Sequence, residues 1–223
     1  MDVIFLAYRR WAVKVCNVIK SHPSINNYKI IKNQKTFINY INKKKNYKCI
    51  IVLIGWSNII EPEIVNNFFC VGVHPSDLPH YKGGSPIQHQ IIDGHTSSKV
   101  SLYKLTKKID SGGIFFKEKF SLVGDSMNII LKNLEISTIN LLIKFFDKYP
   151  KIKIKKQNVK ITKTYKRRLH NESEIKLNEL KKLDLKRLYN KIRCLTEPYP
   201  NAYIEDKKGN RIFFTGVKIK YEK

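Results

Sequence analysis

Histidine is concentrated in one stretch of this 223-residue chain, where four of the six histidines fall between residues 74 and 95. A positioned imidazole titrates near neutral pH, so it can accept or deliver a proton during a reaction. His74 is the strongest candidate because it directly follows an apolar run, residues 67–73, that is typical of a buried strand. The end of such a strand would hold the ring in place. The pattern therefore predicts acid–base chemistry at His74.

A metal site is the alternative use for such a cluster. No two of the four histidines have the i, i+4 spacing of ligands on one helical face, and Cys70, Asp77 and Asp93 add no recognisable ligand pattern. The cysteines also lie far apart and form no C-x-x-C pair: Cys16, Cys49, Cys70 and Cys194. This spacing favours reduced thiols in a cytoplasmic protein over a zinc site or a disulfide framework. We expect no bound metal.

Strands that alternate with helices must position these residues. The strand-like runs are residues 3–7, 28–31, 49–54 and 67–73, and residues 12–19 have a helical apolar face. This order predicts a mostly parallel sheet with helices on both faces, in which ligands bind beyond the carboxyl ends of the strands. No G-x-G-x-x-G follows the first strand, so a dinucleotide cofactor is not expected.

The second half of the chain completes an α/β fold. A two-residue period over 99–122 predicts two strands around a turn at 110–113, and 126–148 is an amphipathic helix. After a lysine-rich connector, the patterns predict a helix over 184–195 and a hairpin of strands 202–205 and 211–218. The expected architecture is a Rossmann-like catalytic domain over 1–150, followed by a connector, helix and β-hairpin over 151–223.

The net charge of +25 suggests a nucleic-acid partner at first sight. Only seven of the 43 basic residues are arginine, however, and lysine is enriched together with isoleucine and asparagine, which share A/T-rich codons. The lysines are also spread along the chain, so we expect a solvated basic surface and no stable nucleic-acid partner. No run of 18 apolar residues predicts a membrane span, and no basic segment at the start predicts a signal peptide.

Two motifs resemble the signatures of the folate-dependent formyltransferases. His74-Pro75-Ser76-x-Leu78-Pro79, with Gly83 and Pro86-Ile87-Gln88 behind it, is similar to the signature loop of that family. Asp110-Ser111-Gly112-Gly113-Ile114 matches the second signature, Asp-x-Gly-x-Ile, at the family's separation of 36 residues from the histidine. The resemblance covers residues 3–122 and, more loosely, 164–205. It implies formyl transfer from N10-formyltetrahydrofolate to an amine.

By the same resemblance, His74 and Asp110 are the catalytic residues. His74 would take or relay the amine proton, and Asp110 would orient the ring, favour its cation and help to remove that proton. The family's oxyanion donor, an Asn two positions before the histidine, is replaced here by Gly72, which leaves a weak enzyme or a non-catalytic binding module as alternatives. The residues expected to bind the folate are Trp56, Ser57, Asn58, Asp77, Leu78, Pro79, His80, Thr106, Lys107, Lys108 and Ile109.

Three branches of the family differ in the amine that they formylate. The methionyl-tRNA branch carries a barrel domain after the catalytic core, and the 55 or so residues after Arg168 are too few for a helix and a barrel. The segments 164–168 and 192–203, with Pro198-Tyr199-Pro200, resemble the nucleotide-sugar N-formyltransferases. This implies a dTDP-linked 4-amino-4,6-dideoxyhexose as the substrate. Glycinamide ribonucleotide, methionyl-tRNA and hydrolysis of formyl-folate remain the alternatives.

Four side chains are candidates for contact with such a nucleotide sugar. Arg9 and Lys82 would meet the pyrophosphate, and Tyr8 and Tyr199 would stack on the base. The resemblance also implies a homodimer joined through the C-terminal hairpin, because its apolar residues, Ile212–Phe214, must be covered by the same chain or by a partner.

Overall fold

A central sheet of six strands organises the chain in the computed structural model, which describes residues 1–44, 47–158, 163–181 and 184–220. Its strands are β1 (Asp2–Leu6), β2 (Asn27–Ile31), β3 (Cys49–Ile54), β4 (Phe69–His74), β6 (Ser97–Lys104) and β7 (Ile114–Ser121), in the order β2-β1-β3-β4-β6-β7. The first four run parallel, whereas β4–β6 and β6–β7 are antiparallel pairs. The predicted α/β class with a mostly parallel sheet is confirmed.

Helices cover both faces of this sheet because successive strand residues point to opposite sides. Val3 and Phe5 face a core formed with α1 (Arg10–Ile19) and α5 (Met127–Lys148). Ile4 and Leu6 belong to a second core. That core is completed by α2 (Gln34–Asn42) and α3 (Pro62–Asn67), and α4 (Pro86–Ile92) packs with the first. No helix in the described ranges is long and apolar enough to cross a bilayer.

Two predicted strand boundaries were wrong. The strand expected over 67–73 begins at Phe69, because α3 continues to Asn67. The hairpin consists of β9 (Ala202–Glu205) and β10 (Arg211–Phe214), so the second strand is shorter than the expected 211–218. Phe214 pairs with Ala202, the first residue of β9, so no partner strand extends beyond that point.

The C-terminal segment packs into the core of the catalytic part. Its elements include two-residue β8 (Thr164–Tyr165), which pairs with β5 (Lys82–Gly83), a 3₁₀ turn at His170–Ser173, α6 (Leu177–Leu180) and α7 (Leu185–Arg193). Ile175, Ile192 and Leu195 lie in the same apolar cluster as α1 and α5. Residues 151–223 therefore contribute to the core of residues 1–150, although the division into these two parts remains a prediction.

Arg193 links the C-terminal segment to the loop between β7 and α5 through hydrogen bonds. Its guanidinium is buried and donates to the carbonyls of Leu122 (2.6 Å) and Gly124 (3.1 Å) and to Asn190 Oδ1 (2.8 Å). Nearby, Thr196 Oγ1 accepts the backbone N–H of Met127 at the start of α5 (2.8 Å). These bonds satisfy backbone groups that would otherwise lie buried without partners.

We expect Arg193→Ala to lower the free energy of unfolding by roughly 2–4 kcal/mol, because it leaves the buried carbonyl of Leu122 and the half-buried carbonyl of Gly124 without this donor. Urea unfolding followed by circular dichroism measures the change. Arg187→Ala is the matched control, since Arg187 is exposed on the same helix. Equal effects of the two substitutions would contradict a bracing role for Arg193.

Candidate functional site

The carboxyl ends of three parallel strands meet at one edge of the sheet. Arg9 follows β1, Gly55–Ser57 follow β3, and His74 is the last residue of β4. Beyond β4 the sheet changes from parallel to antiparallel pairing. The crevice at such a carboxyl edge is where open α/β sheets bind ligands. We therefore expect a binding site around the end of β4.

The imidazole of His74 is buried, and both of its nitrogens face acceptors. Nε2 lies 2.8 Å from the carbonyl oxygen of Tyr81, which can only accept, so Nε2 carries a proton and donates. Nδ1 lies 3.4 Å from Asp110 Oδ2. A neutral ring would turn the lone pair of Nδ1 toward the carboxylate. Nδ1 and Oδ2 are close enough to form an ion pair whenever the ring carries a second proton.

Asp110 sits in a tight turn that presents its carboxylate to the histidine. Its φ of 47° lies in the left-handed region, and the turn also requires glycine at 112, where a Cβ would come within 1.7 Å of the carbonyl oxygen of Lys104. Oδ2 accepts the backbone N–H of Gly83 (2.8 Å), and Oδ1 accepts the hydroxyl of Tyr103 (2.6 Å). The orientation of the carboxylate is thus fixed at both oxygens.

The backbone of residues 81–83 holds both members of the pair, since residue 81 binds His74 and residue 83 binds Asp110. Tyr81 anchors this segment through its side chain. Its hydroxyl donates to Asp93 Oδ2 (2.8 Å), and its ring stacks on Tyr165 with 5.0 Å between centroids. The phenol pKa of Tyr81 is raised by burial and by the hydrogen bond to Asp93, so the hydroxyl keeps its proton. Tyr165 of the C-terminal segment therefore supports the loop, residues 81–83, that binds His74 and Asp110.

Two cavities share His74 in their walls. The first, of about 420 Å³, is lined by His74, Asp110 and apolar side chains such as Leu53 and Val65. Seven of the residues predicted to bind folate also line it: Trp56, Ser57, Asn58, Thr106, Lys107, Lys108 and Ile109. A mostly apolar cavity of this size with a few polar groups suits a small organic ligand.

The second cavity, of about 330 Å³, is lined by three of the seven arginines of the chain: Arg9, Arg167 and Arg168. None of the described residues that line it is acidic. The guanidinium carbon of Arg9 lies 5.4 Å from the ring centroid of Tyr8 and 5.4 Å from that of Tyr199. Arginine offers two parallel donors to a phosphate or carboxylate. The charge of this wall therefore suits an anionic ligand.

Three buried donors on the same wall have no acceptor within the described part of the chain. They are the Nε1 atoms of Trp11 and Trp56 and the Nε atom of Arg168. A buried donor without an acceptor is costly, and such groups are rare in native folds. An anion in the cavity would supply the missing acceptors.

Comparison with known proteins decides the family. The formyl transferase family model matches residues 10–133. The methionyl-tRNA formyltransferase of Prochlorococcus marinus (strain MIT 9215) is 30% identical over 155 residues, which are 67% of this chain and 47% of that protein. This chain belongs to the formyl transferase family. It spans less than half the length of the curated methionyl-tRNA formyltransferases that it matches.

Solved structures of other formyl transferases share the fold over the whole chain. A methionyl-tRNA formyltransferase from Clostridium thermocellum has 30% identity and a TM-score of 0.82, with 99% of this chain and 94% of that chain covered. A sugar N-formyltransferase from Shewanella sp FDAARGOS_354 has 17% identity and a TM-score of 0.75, with 99% of both chains covered. One chain named as a methionyl-tRNA formyltransferase and one named as a sugar N-formyltransferase are thus both covered almost completely by this chain.

Residues 77–80, which were predicted to bind folate, line neither of the two cavities at His74. Asp77 instead forms ion pairs with Lys99 (2.9 Å) and Lys117, and Leu78 is buried against Tyr103. Asp77 and His80 line a different cavity on the far side of the loop. Neither Leu78 nor Pro79 is among the residues that line the two cavities at His74.

Two predicted substrate contacts also lie outside the second cavity. Lys82 is buried where β5 pairs with β8, because that pairing draws its backbone into the fold. The hydroxyl of Tyr8 donates to Ser57 Oγ, and its ring meets Trp56 edge-on at 5.8 Å. Tyr8 therefore supports Arg9 and Trp56, which do line the cavity together with Tyr199.

Sequence reasoning missed Arg167, Arg168 and Tyr103 as site residues. The two adjacent arginines stand out in a chain that otherwise uses lysine, and that contrast was the available signal. Tyr103 carried none, because it reads as an ordinary strand residue. No group of three or more His, Cys, Asp or Glu side chains is placed to hold a metal within the described residues.

Proposed function

We propose that this chain transfers a formyl group from N10-formyltetrahydrofolate to the amine of a nucleotide-linked amino sugar, such as a dTDP-linked 4-amino-4,6-dideoxyhexose. The observation that carries the substrate class is the arginine-lined cavity beside His74. Arg9, Arg167 and Arg168 give it a charge of +3 without an acidic neighbour among the described lining residues. A diphosphate is the small anion that best matches this charge and the unpaired donors.

The C-terminal segment further supports a nucleotide sugar. Pro198–Pro200 contributes to the wall of the cavity and sets the ring of Tyr199 beside Arg9. An aromatic ring beside a guanidinium can stack on a base while the charge meets the phosphates. A cavity of about 330 Å³ lies in the range of small-molecule sites. The structural relatives include a protein named as a sugar N-formyltransferase.

Methionyl-tRNA is the second candidate, since the curated relatives carry that name and one solved structure so named is 30% identical over nearly the whole chain. The net charge of +25 would attract tRNA, but attraction of this kind is independent of sequence and falls steeply with salt. Neither the net charge nor the names of the relatives account for three arginines around one cavity beside His74, so we favour the sugar.

The formyl donor is proposed to bind in the first cavity, which is lined by seven of the eleven residues predicted to bind folate. It supplies the formyl group, and the two cavities would bring that group and the amine together at His74. Nδ1–H of His74 makes only a loose 3.4 Å contact with Asp110, so it can donate to the oxygen of the formyl group as negative charge develops there. Oδ2 of Asp110 then accepts the proton of the attacking amine. The same proton can pass to the nitrogen of the donor when the carbon–nitrogen bond breaks.

We expect His74→Ala to lower kcat by roughly 10²–10³-fold, the range for loss of an oxyanion donor, and Asp110→Asn by roughly 10²–10⁴-fold, the range for loss of a group that transfers a proton. Formation of the N-formyl product, followed by mass, measures the change, and the unfolding temperature shows whether the fold survives. His170→Ala is the control, because His170 is exposed and lies away from both cavities. A folded His74→Ala protein with near-native kcat would exclude this mechanism.

We expect Arg9→Gln and Arg167→Gln to weaken the binding of dTDP by roughly 10- to 100-fold each, because each removes charged hydrogen bonds to phosphate. Calorimetry at 0.15 M salt measures Kd, with exposed Arg187→Gln as the control.

The wild-type protein should formylate at least one of a panel of dTDP-, UDP- and GDP-linked amino sugars faster than methionyl-tRNA. Formylation of methionyl-tRNA at a higher rate, without dTDP binding, would favour the second candidate.

We also propose a homodimer joined through the C-terminal hairpin. Ile212 and Phe213 are 64% and 53% exposed, whereas Phe214 packs against the main core. Ile212 and Phe213 lie on opposite faces of the strand, and burial of either exposed side chain against a second copy of the chain would favour the dimer. Light scattering at micromolar concentration tests the proposal, and a monomer would contradict it.

A further inference from the structure

Gly72 and Tyr103 form a cross-strand pair at the centre of the site. The antiparallel register of β4 and β6 places their Cα atoms opposite each other, two residues before His74. A Cβ at position 72 would lie 2.7–2.8 Å from Cε1, Cζ and Oη of Tyr103. Contacts this short do not occur between real side chains, so the phenol ring occupies the space that any side chain at 72 would need. Glycine is required there because tyrosine lies across from it.

The hydroxyl of Tyr103 is aimed at the catalytic pair. It donates to Oδ1 of Asp110 at 2.6 Å, while Oδ2 faces His74. The ring is 9% exposed, packs against Leu78 and Ile114, and forms part of the wall of the cavity that holds His74. Burial, and then the negative charge of Asp110, raise the pKa of the phenol well above its usual value. The hydroxyl therefore remains a donor throughout the pH range in which an enzyme works.

The hydrogen bond of Tyr103 determines which oxygen of Asp110 reacts. With Oδ1 engaged by the phenol, the carboxylate is held so that Oδ2 meets both the N–H of Gly83 and Nδ1 of His74. Without the hydroxyl, Oδ1 would have no other donor among its described contacts, and the carboxylate would be held from one side only. A carboxylate held at both oxygens is orientated before the substrate binds.

We propose that Tyr103 is a positioning residue of the active site: from β6 it holds Oδ1 of Asp110, so that Oδ2 faces His74. This inference rests on the proposed formyl transfer and deepens it. The amine proton moves to Asp110 as described above, and the phenol keeps its own proton throughout. Because the ring fills the space over Gly72, a side chain at position 72 requires a smaller residue at 103.

Tyr103→Phe tests the hydroxyl alone, because it keeps the ring that fills the space over Gly72. We expect kcat to fall roughly 10- to 100-fold, the equivalent of one hydrogen bond to a charged group, with little change in KM for either substrate. Tyr203→Phe is the control, a buried tyrosine in the hairpin that lines neither cavity at His74. A Tyr103→Phe enzyme with wild-type kcat would show that the ring is only core packing.

The exchange experiment tests the pairing itself. Gly72→Asn alone should lower both the unfolding temperature and kcat, and Tyr103→Ala alone should lower kcat. The double variant Gly72→Asn/Tyr103→Ala should have a higher unfolding temperature than Gly72→Asn alone, because the ring no longer occupies the space of the new side chain. A stable, fully active Gly72→Asn enzyme, or a double variant no more stable than Gly72→Asn, would overturn the inference. A wild-type protein that formylates no amine would instead refute the proposed function. The comparisons among variants test only the role of Tyr103, because they require an active wild-type enzyme.

Discussion

The change from parallel to antiparallel pairing at β4 is the constraint on which the site depends. Parallel neighbours bring the carboxyl ends of β1, β3 and β4 to one edge, which gathers Arg9, Trp56 and His74. The antiparallel neighbour β6 then runs away from that edge, and the turn before β7 carries Asp110 back to the histidine. A parallel strand at this position would instead bring its own carboxyl end to this edge, and the turn that follows it would begin from the opposite side of the present one.

The parts that sequence could predict are those determined by short-range pattern. The apolar run of β3 was predicted at its observed boundaries, and the His74–Asp110 pair followed from two motifs at a fixed separation. The parts that it could not predict depend on long-range contacts. The two-residue strand β8 has no pattern of its own, yet its pairing with β5 buries Lys82 and brings Arg167 to the cavity. The register that sets Tyr103 over Gly72 is likewise visible only once β4 and β6 are paired.

The charge of the chain shows why composition and site must be considered separately. Lysines dominate the total of +25 and are spread over the surface, where water and salt screen them. The arginines are few, and three of them meet around one cavity. A flexible ammonium group can serve a solvated surface, but a planar guanidinium with two parallel donors suits a fixed phosphate. The choice of residue is therefore more informative than the sum of the charges.

Chemistry and choice of substrate are encoded in different parts of the chain. The range that matches the family model, 10–133, contains His74, Tyr103 and Asp110, to which the proposed steps on the formyl group and the amine proton are assigned. Arg167, Arg168 and Tyr199, which line the cavity proposed for the amine substrate, lie beyond that range. Similarity concentrated in the first part can therefore establish the family while it leaves the identity of the amine substrate open.

The shared core and the β5–β8 pairing couple the two parts of the chain. Strand β8, which leads to Arg167 and Arg168, also supports the loop that binds His74 and Asp110. A change of substrate in this family would then require residues 163–205 to change their cavity-lining side chains while they keep the backbone contacts that support His74.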